Sequence, residues 1–181
     1  LAPNMAASAE MAMSEATASG NFLGGSKIVP IRADSTCVDS AAATAAAERL
    51  ITSDGITAMV GADCSGVTTA VLQSVATAKG IVMISPSATA PSLTDIADDG
   101  LFFRTSPSDA RGGQVMAQVM MDRGIKSIAL TYTNNDYGKG LSDAIQSNYE
   151  ALGGTVTVVT AHEDDKGDYS AEVAALAQGG S

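Results

Sequence analysis

Short β-branched runs alternate along this chain with longer Ala-rich stretches in which apolar residues recur every three or four positions. Residues 4–19 place Met5, Ala9, Ala12, Met13 and Ala16 at helical spacing, with Pro3 near the first turn and Gly20 past the last. They predict an amphipathic helix with no strand before it. Asn21-Phe22-Leu23-Gly24-Gly25 is a turn cluster. Lys27-Ile28-Val29-Pro30-Ile31-Arg32 reads as an edge-type strand, because Pro30 has no N–H to give a ladder. After a loop containing Cys37, Asp39 is positioned to cap an Ala-rich helix through Ile51, which Ser53-Asp54-Gly55 stops. Then come strand 57–60, helix 66–79 ending at Gly80, and Ile81-Val82-Met83-Ile84, a continuous apolar run of the kind expected in a buried parallel strand. Residues 86–100 form a long loop or a short helix within one, and Leu101-Phe102-Phe103-Arg104 is extended again.

At Thr105-Ser106-Pro107-Ser108-Asp109 the pattern restarts with helix-capping residues before Val115, Met116, Val119 and Met120, a helix ending near Gly124. Strand 127–132, helix 137–151, strand 155–159 and helix 170–178 follow. Strand–helix alternation at this spacing is the mark of a doubly wound α/β protein. Two α/β units meeting near residue 105 are the simplest division: 1–105 and 106–181. A first strand is expected before Leu1 and a further one after Ser181, so the chain reads as a fragment with its second unit incomplete.

If the runs at 57–60 and 81–84 are parallel neighbours, the loops after them open at one sheet edge. These loops are Gly61-Ala62-Asp63-Cys64-Ser65-Gly66-Val67-Thr68-Thr69 and Ile84-Ser85-Pro86-Ser87-Ala88-Thr89, both rich in hydroxyls and small residues. Ser65, Thr68 and Thr69 begin the helix after the first run, where backbone N–H groups and the helix dipole favour an anion such as a carboxylate; the same hydroxyls also suit plain helix and turn capping. In the second unit Asn134-Asn135-Asp136-Tyr137-Gly138 holds the equivalent position, with Tyr137 placed to close over a ligand or to cover the helix start.

Composition narrows the chemistry. With 45% hydrophobic residues, 4% aromatic and no Trp, the core is built of Ala, Val, Ile, Leu and Met. A net charge of −10 argues against nucleic acid and anionic membranes as partners. No apolar window is long enough to span a bilayer. The single histidine, His162, lies beside Glu163-Asp164-Asp165 in what reads as an exposed loop, with no nucleophile elbow, phosphate loop or metal-spaced set anywhere; the acid run reads as a solvated charge run rather than a cation site. No catalytic residue, metal or cofactor is expected. Cys37 and Cys64 are an even pair, open to pairing in an oxidising compartment or to burial as two thiols.

With these residues placed, nearly the whole chain resembles the periplasmic substrate-binding proteins of type I fold that serve branched-chain amino acid ABC transporters, the leucine/isoleucine/valine-binding group. The resemblance is carried by Asp34-Ser35-Thr36-Cys37, helix 40–51, Val60 to Thr68, Gly80 to Thr89, Phe103-Arg104-Thr105-Ser106-Pro107-Ser108-Asp109, Asn135-Asp136-Tyr137-Gly138 and Asp168-Tyr169-Ser170, in that order and spacing. It implies two doubly wound parallel-sheet lobes closing around a ligand, a Cys37–Cys64 disulfide, a periplasmic location with the signal peptide removed, and a membrane permease as partner, without direct membrane insertion. It implies ligand contacts at Ser65, Ser87, Ala88, Thr89 and Tyr137: the Ser65 hydroxyl and the Thr89 hydroxyl and N–H on an α-carboxylate, the Ser87 carbonyl on an α-ammonium, and Tyr137 packing from the second lobe. Phe103-Arg104-Thr105 would be the first hinge crossing. The expected ligand is a small aliphatic amino acid; the alternatives are an aromatic carboxylate or amide, or a ligand-sensing receptor ectodomain of the same fold.

Overall fold

The computed structural model describes residues 2–179, which divide into two compact units. The first runs up to Ser87 and adds Asp98–Thr105. Its sheet has three parallel strands in the order β1 (Ala58–Val60), β2 (Val82–Ser85), β3 (Phe102–Arg104), with Met59 beside Met83 and Ile84 beside Phe103. Successive side chains of a strand point to opposite faces. On β2, Met83 and Ser85 are buried while Ile84 between them is 37% exposed.

The buried face is covered by helices whose small residues allow close approach. α2 (Ser40–Thr52) starts where expected: the Asp39 carboxylate accepts the Ala42 N–H at 2.9 Å. α3 (Ser65–Val71) continues through a π turn at Leu72–Ala76 into α4 (Thr77–Lys79), and Gly80, at φ +68°, closes it in the left-handed conformation that glycine adopts without strain. Ala43 and Ala47 of α2, Val67 and Val71 of α3, then Leu72 and Val75 are all buried, and fully burying each larger aliphatic side chain contributes about 1.5–3 kcal/mol.

α1 (Ala2–Ala18) has the predicted amphipathic form, with Met5, Ala9, Met13 and Ala16 half-buried. The strand expected over 27–32 is irregular chain that joins no ladder among the described residues. Pro30 has no donor, and the Ile28 N–H is spent on Thr17 Oγ1 at 3.0 Å, so the segment is tied to α1 instead. Arg32 makes a two-pronged contact to Glu10, at 2.5 and 2.7 Å; its hydrogen bond holds the Glu10 carboxyl below the usual carboxylate range.

Cys37 and Cys64 form a disulfide with Cα atoms 5.3 Å apart, tying the loop before α2 to the residue that precedes α3.

The second unit joins Ala88–Ala97 to the chain from Ser106 on. This differs from the single break expected at residue 105. The Asp109 N–H donates to the Thr89 carbonyl at 2.9 Å and the Ser106 hydroxyl to the Ala88 carbonyl at 3.1 Å, so residues just after Ser87 are fastened to the second unit. Residues 86–100, expected to be loop or short helix, include a single 3-10 turn, Pro91–Thr94.

In this unit β4 (Ser127–Thr133) and β5 (Thr155–His162) are parallel, with one extra residue on β5 at Thr157, whose hydroxyl donates to the Ile128 carbonyl at 3.1 Å. Around them lie α5 (Asp109–Asp122), α6 (Asp136–Ala151) and α7 (Ser170–Gln178). A Cβ on Gly113 of α5 would lie 2.6 Å from the Ala144 carbonyl carbon of α6, so the two helices meet backbone to backbone. Tyr149, fully buried, donates its hydroxyl to the Ile125 carbonyl at 2.9 Å and anchors α6 to the turn before β4.

The disulfide spans 27 positions, which in the chain-entropy model gives about 3–4 kcal/mol of stability. Reduction is therefore expected to lower the melting temperature by several degrees, at about 2–4 °C per kcal/mol for a chain of this size. Calorimetric scans with and without reductant check this; an unchanged melt would show that the bridge adds no stability.

Candidate functional site

In the first unit the loops after β1 and β2 open at the same sheet edge, because Val60 pairs with Ile84 in parallel register. Hydroxyls stitch them together. The Ala62 carbonyl accepts from Ser85 Oγ at 2.6 Å and from Thr68 Oγ1 at 3.1 Å, and the Asp63 carbonyl accepts from Ser87 Oγ at 2.6 Å. Ser85, Thr68 and Ala62 are all buried, so the Ala62 carbonyl takes its partners from these hydroxyls rather than from water.

Ser65 is the first residue of α3 and 2% exposed. The disulfide holds Cys64 in extended geometry immediately before it. Ser65 therefore sits where helix N–H groups point outward and the helix dipole is positive. Thr69, named with it as a candidate, donates back to the Ser65 carbonyl at 3.0 Å and serves the helix. Ser85, a hydroxyl at the end of β2, is buried and turned to the neighbouring loop, where it donates to Ala62.

In the second unit Ala88 is buried and Thr89 half-buried. Thr89 Oγ1 donates to Asp109 Oδ2 at 2.7 Å, so the hydroxyl hydrogen expected on a ligand carboxylate is engaged within the protein. Asp109 opens α5 behind its cap, Ser108, whose side chain accepts the Ala110 N–H at 3.3 Å.

Tyr137 is the second residue of α6 and 45% exposed. Asn135 caps this helix by accepting the Gly138 N–H at 2.9 Å. Gly138 is forced by packing, since a Cβ there would stand 2.2 Å from the Thr133 carbonyl oxygen. Tyr137 and His162 border a pocket of about 210 Å³ over the end of β4.

His162, expected in an exposed loop, is instead the last residue of β5, half-buried, with Nδ1 2.7 Å from Thr131 Oγ1 and its ring edge-on to Tyr169. The Glu163 carboxylate accepts from Asn134 Nδ2 at 2.7 Å. Further along, the hydrogen bond between Lys166 and Glu172 raises the lysine and lowers the glutamate, and the Ser170 hydroxyl and N–H hold Asp168 below its ordinary value. Among the described residues no three His, Cys, Asp or Glu side chains converge as metal ligands, and no helix is long and apolar enough to cross a membrane.

Parallel strands alternating with helices, in two units whose strand-end loops carry hydroxyls and capped helix starts, define a periplasmic-binding-protein fold of type I. Residues 4–178 match the receptor family ligand binding region, and the chain belongs to that family. It is 31% identical over 169 residues, 93% of its length, to the Leu/Ile/Val-binding protein of Citrobacter freundii, of which it covers 45%. Among solved structures it matches the leucine-binding protein of Thermotoga maritima with a TM-score of 0.80 at 22% identity, covering 92% of this chain and 47% of that one. A solute-binding protein from R. palustris in complex with 4-hydroxybenzoate matches with a TM-score of 0.79 at 20% identity, over 92% of this chain and 45% of that one. The chain thus spans about half the length of these relatives.

Because Gly138 leaves no room for a methyl, Gly138→Ala is expected to cost about 1–3 kcal/mol of stability. It should also change the summed emission of the four tyrosines, Tyr137 among them, as the start of α6 is pushed off Thr133. Denaturant unfolding followed through tyrosine emission checks both; wild-type stability would show that the helix start adjusts freely.

Proposed function

We propose that the chain is part of a periplasmic solute-binding protein that captures a small aliphatic amino acid and delivers it to the membrane permease of an ABC importer. Similarity to a Leu/Ile/Val-binding protein over nearly the whole chain supports this reading. The observation that carries it is Ser65, held by a disulfide-anchored residue at the start of α3 beside a loop braced by Ser85 and Ser87. That is a preorganised place for a carboxylate, with little ordering left for the ligand to drive.

In this reading Ser65 gives its hydroxyl and Thr89 its backbone N–H to the α-carboxylate. The Ser87 carbonyl accepts from the α-ammonium, Ala88 lines the same loop and Tyr137 packs on the ligand. Residues 1–105 and 106–181 supply the two ligand-binding lobes, with 88–97 joining the second. No bond is made or broken, so the protein is a carrier rather than an enzyme. Membership of a receptor ligand-binding family supports a second reading, a sensing ectodomain, which a membrane anchor elsewhere in the polypeptide would favour.

Titration calorimetry of the full-length protein against aliphatic amino acids, amides and aromatic carboxylates tests the first reading. Saturable heat is expected with aliphatic amino acids. Ser65→Ala is expected to weaken that binding by about 1–3 kcal/mol, the scale of a hydrogen bond to a charged group. Absence of heat from every compound, or an unaltered dissociation constant in the variant, would remove the ligand or the residue respectively.

A further inference from the structure

A disulfide opens when a thiolate attacks one of its two sulfurs, so exchange begins at the sulfur that solvent reaches and runs toward the one that leaves more easily. The two ends of the Cys37–Cys64 bridge differ in both respects. Cys37 is exposed and is followed by Val38, 89% exposed, in the stretch before α2. Cys64 is half-buried at the N-cap of α3, where no side-chain cap bond is made and the helix dipole favours negative charge. Helical geometry runs on from α3 through the π turn into α4, so the dipole at Cys64 is that of the whole segment 65–79. In sequence, Asp34 and Asp39 flank Cys37, and Asp63 precedes Cys64.

The noncovalent fastenings on the two sides differ as well. Around Cys37 the hydrogen bonds close on the stretch itself and the start of α2: the Thr36 N–H donates to Asp34 Oδ1 at 2.8 Å, the Asp39 N–H to Thr36 Oγ1 at 3.1 Å, and the Asp39 side chain caps α2. Among the described residues, the bridge is the bond that ties this stretch to the sheet edge. Around Cys64 the turn is held across the sheet, by Ser85 and Thr68 on the Ala62 carbonyl, Ser87 on the Asp63 carbonyl, and the Gly61 N–H donating to the Ile84 carbonyl at 2.9 Å.

We propose that Cys37 is a thiol-exchange site, through which a dithiol reductant opens the bridge and releases residues 34–38 while the turn 61–69 stays in place. The first thiolate of the reductant bonds to Cys37 Sγ, the bond between the two cysteine sulfurs breaks, and its electron pair leaves on Cys64 as a thiolate at the helix start. The second thiol of the reductant, as its thiolate, then attacks the reductant sulfur bound to Cys37 and frees a Cys37 thiolate. Two electrons pass from the dithiol to the bridge, the dithiol closes into its own disulfide, and the two protons it gives up balance those the cysteine thiolates take from water. The bridge is in this way a latch on the stretch before α2, worked from the outside.

The test uses full-length protein well below its melting transition. Reduced glutathione, a monothiol, stops the reaction at its first step, and timed samples are quenched with N-ethylmaleimide in denaturant and mapped by mass spectrometry without reduction. The glutathione adduct is expected on Cys37 and the maleimide on Cys64. Adducts on Cys64, or on both cysteines equally, would overturn the assignment, as would an exchange rate that climbs with urea in step with global unfolding, since the sulfur would then be reached only in the unfolded chain. After full reduction with dithiothreitol, amide hydrogen exchange is expected to lose its protection at Thr36 and Asp39 and to keep it at Gly61 and Thr68. Equal loss at all four would overturn the release of one side alone.

Discussion

The Ala62 carbonyl, with two buried hydroxyls on it, is the constraint on which the first unit's sheet edge depends. A parallel strand ends in a loop whose backbone groups leave the ladder, and any of them turned inward must be given a partner. Here one donor, Ser85, comes from the neighbouring strand and the other, Thr68, from the following helix, so a single oxygen registers β1, β2 and α3 against one another. The disulfide acts one residue before α3 and fixes the same turn covalently from the outside. Ser65 inherits its position from both. It is thereby held by contacts within the first unit itself.

The second unit solves its equivalent problem by close packing rather than by a bridge. Gly113 lets α5 lie against Ala144, Gly138 lets α6 begin against Thr133, and Tyr149 pins the far end of α6 to Ile125. Substituting a methyl at either glycine asks backbone to move, whereas small residues on the two helices leave their axes close and their N-termini defined. Tyr137 and Asp109 lie at those two N-termini, so the positions of both follow from the close approach that the glycines permit.

Most of this was legible in the chain because each strand and helix carries its own local signal: β-branched runs for β1, β2, β4 and β5, Asp39 and Ser108 as caps, Gly80 as a stop. What local reading missed depends on partners far away in sequence. Residues 27–32 have strand chemistry but no ladder among the described residues, since pairing is a property of two segments and Pro30 weakens the claim of this one. Residues 88–97 follow β2 without a compositional break, yet hydrogen bonds across about twenty positions attach them to the second unit. His162 sits one residue before an acidic run that looks like loop, while β5 extends through it because Thr133 pairs with it. Sequence placed Ser65 at a helix start and Thr89 in the loop after β2; it did not reveal where the Thr89 hydrogen goes.

That hydrogen shows a general limit on transferring roles by residue type. Ser, Thr and Tyr are each donor and acceptor, and sequence records the group without recording which half is already used. Ser87 and Thr89 illustrate the two cases within three residues. Ser87 gives its hydroxyl to Asp63, yet the role expected of it belongs to its carbonyl, which that bond leaves untouched. Thr89 gives its hydroxyl to Asp109, and the role expected of it required the same hydrogen. The first expectation does not compete with that bond, whereas the second asks for a hydrogen that the protein itself uses. The orientation of such a hydroxyl is therefore decided one bond behind it, by which acceptor the surrounding fold has placed there first.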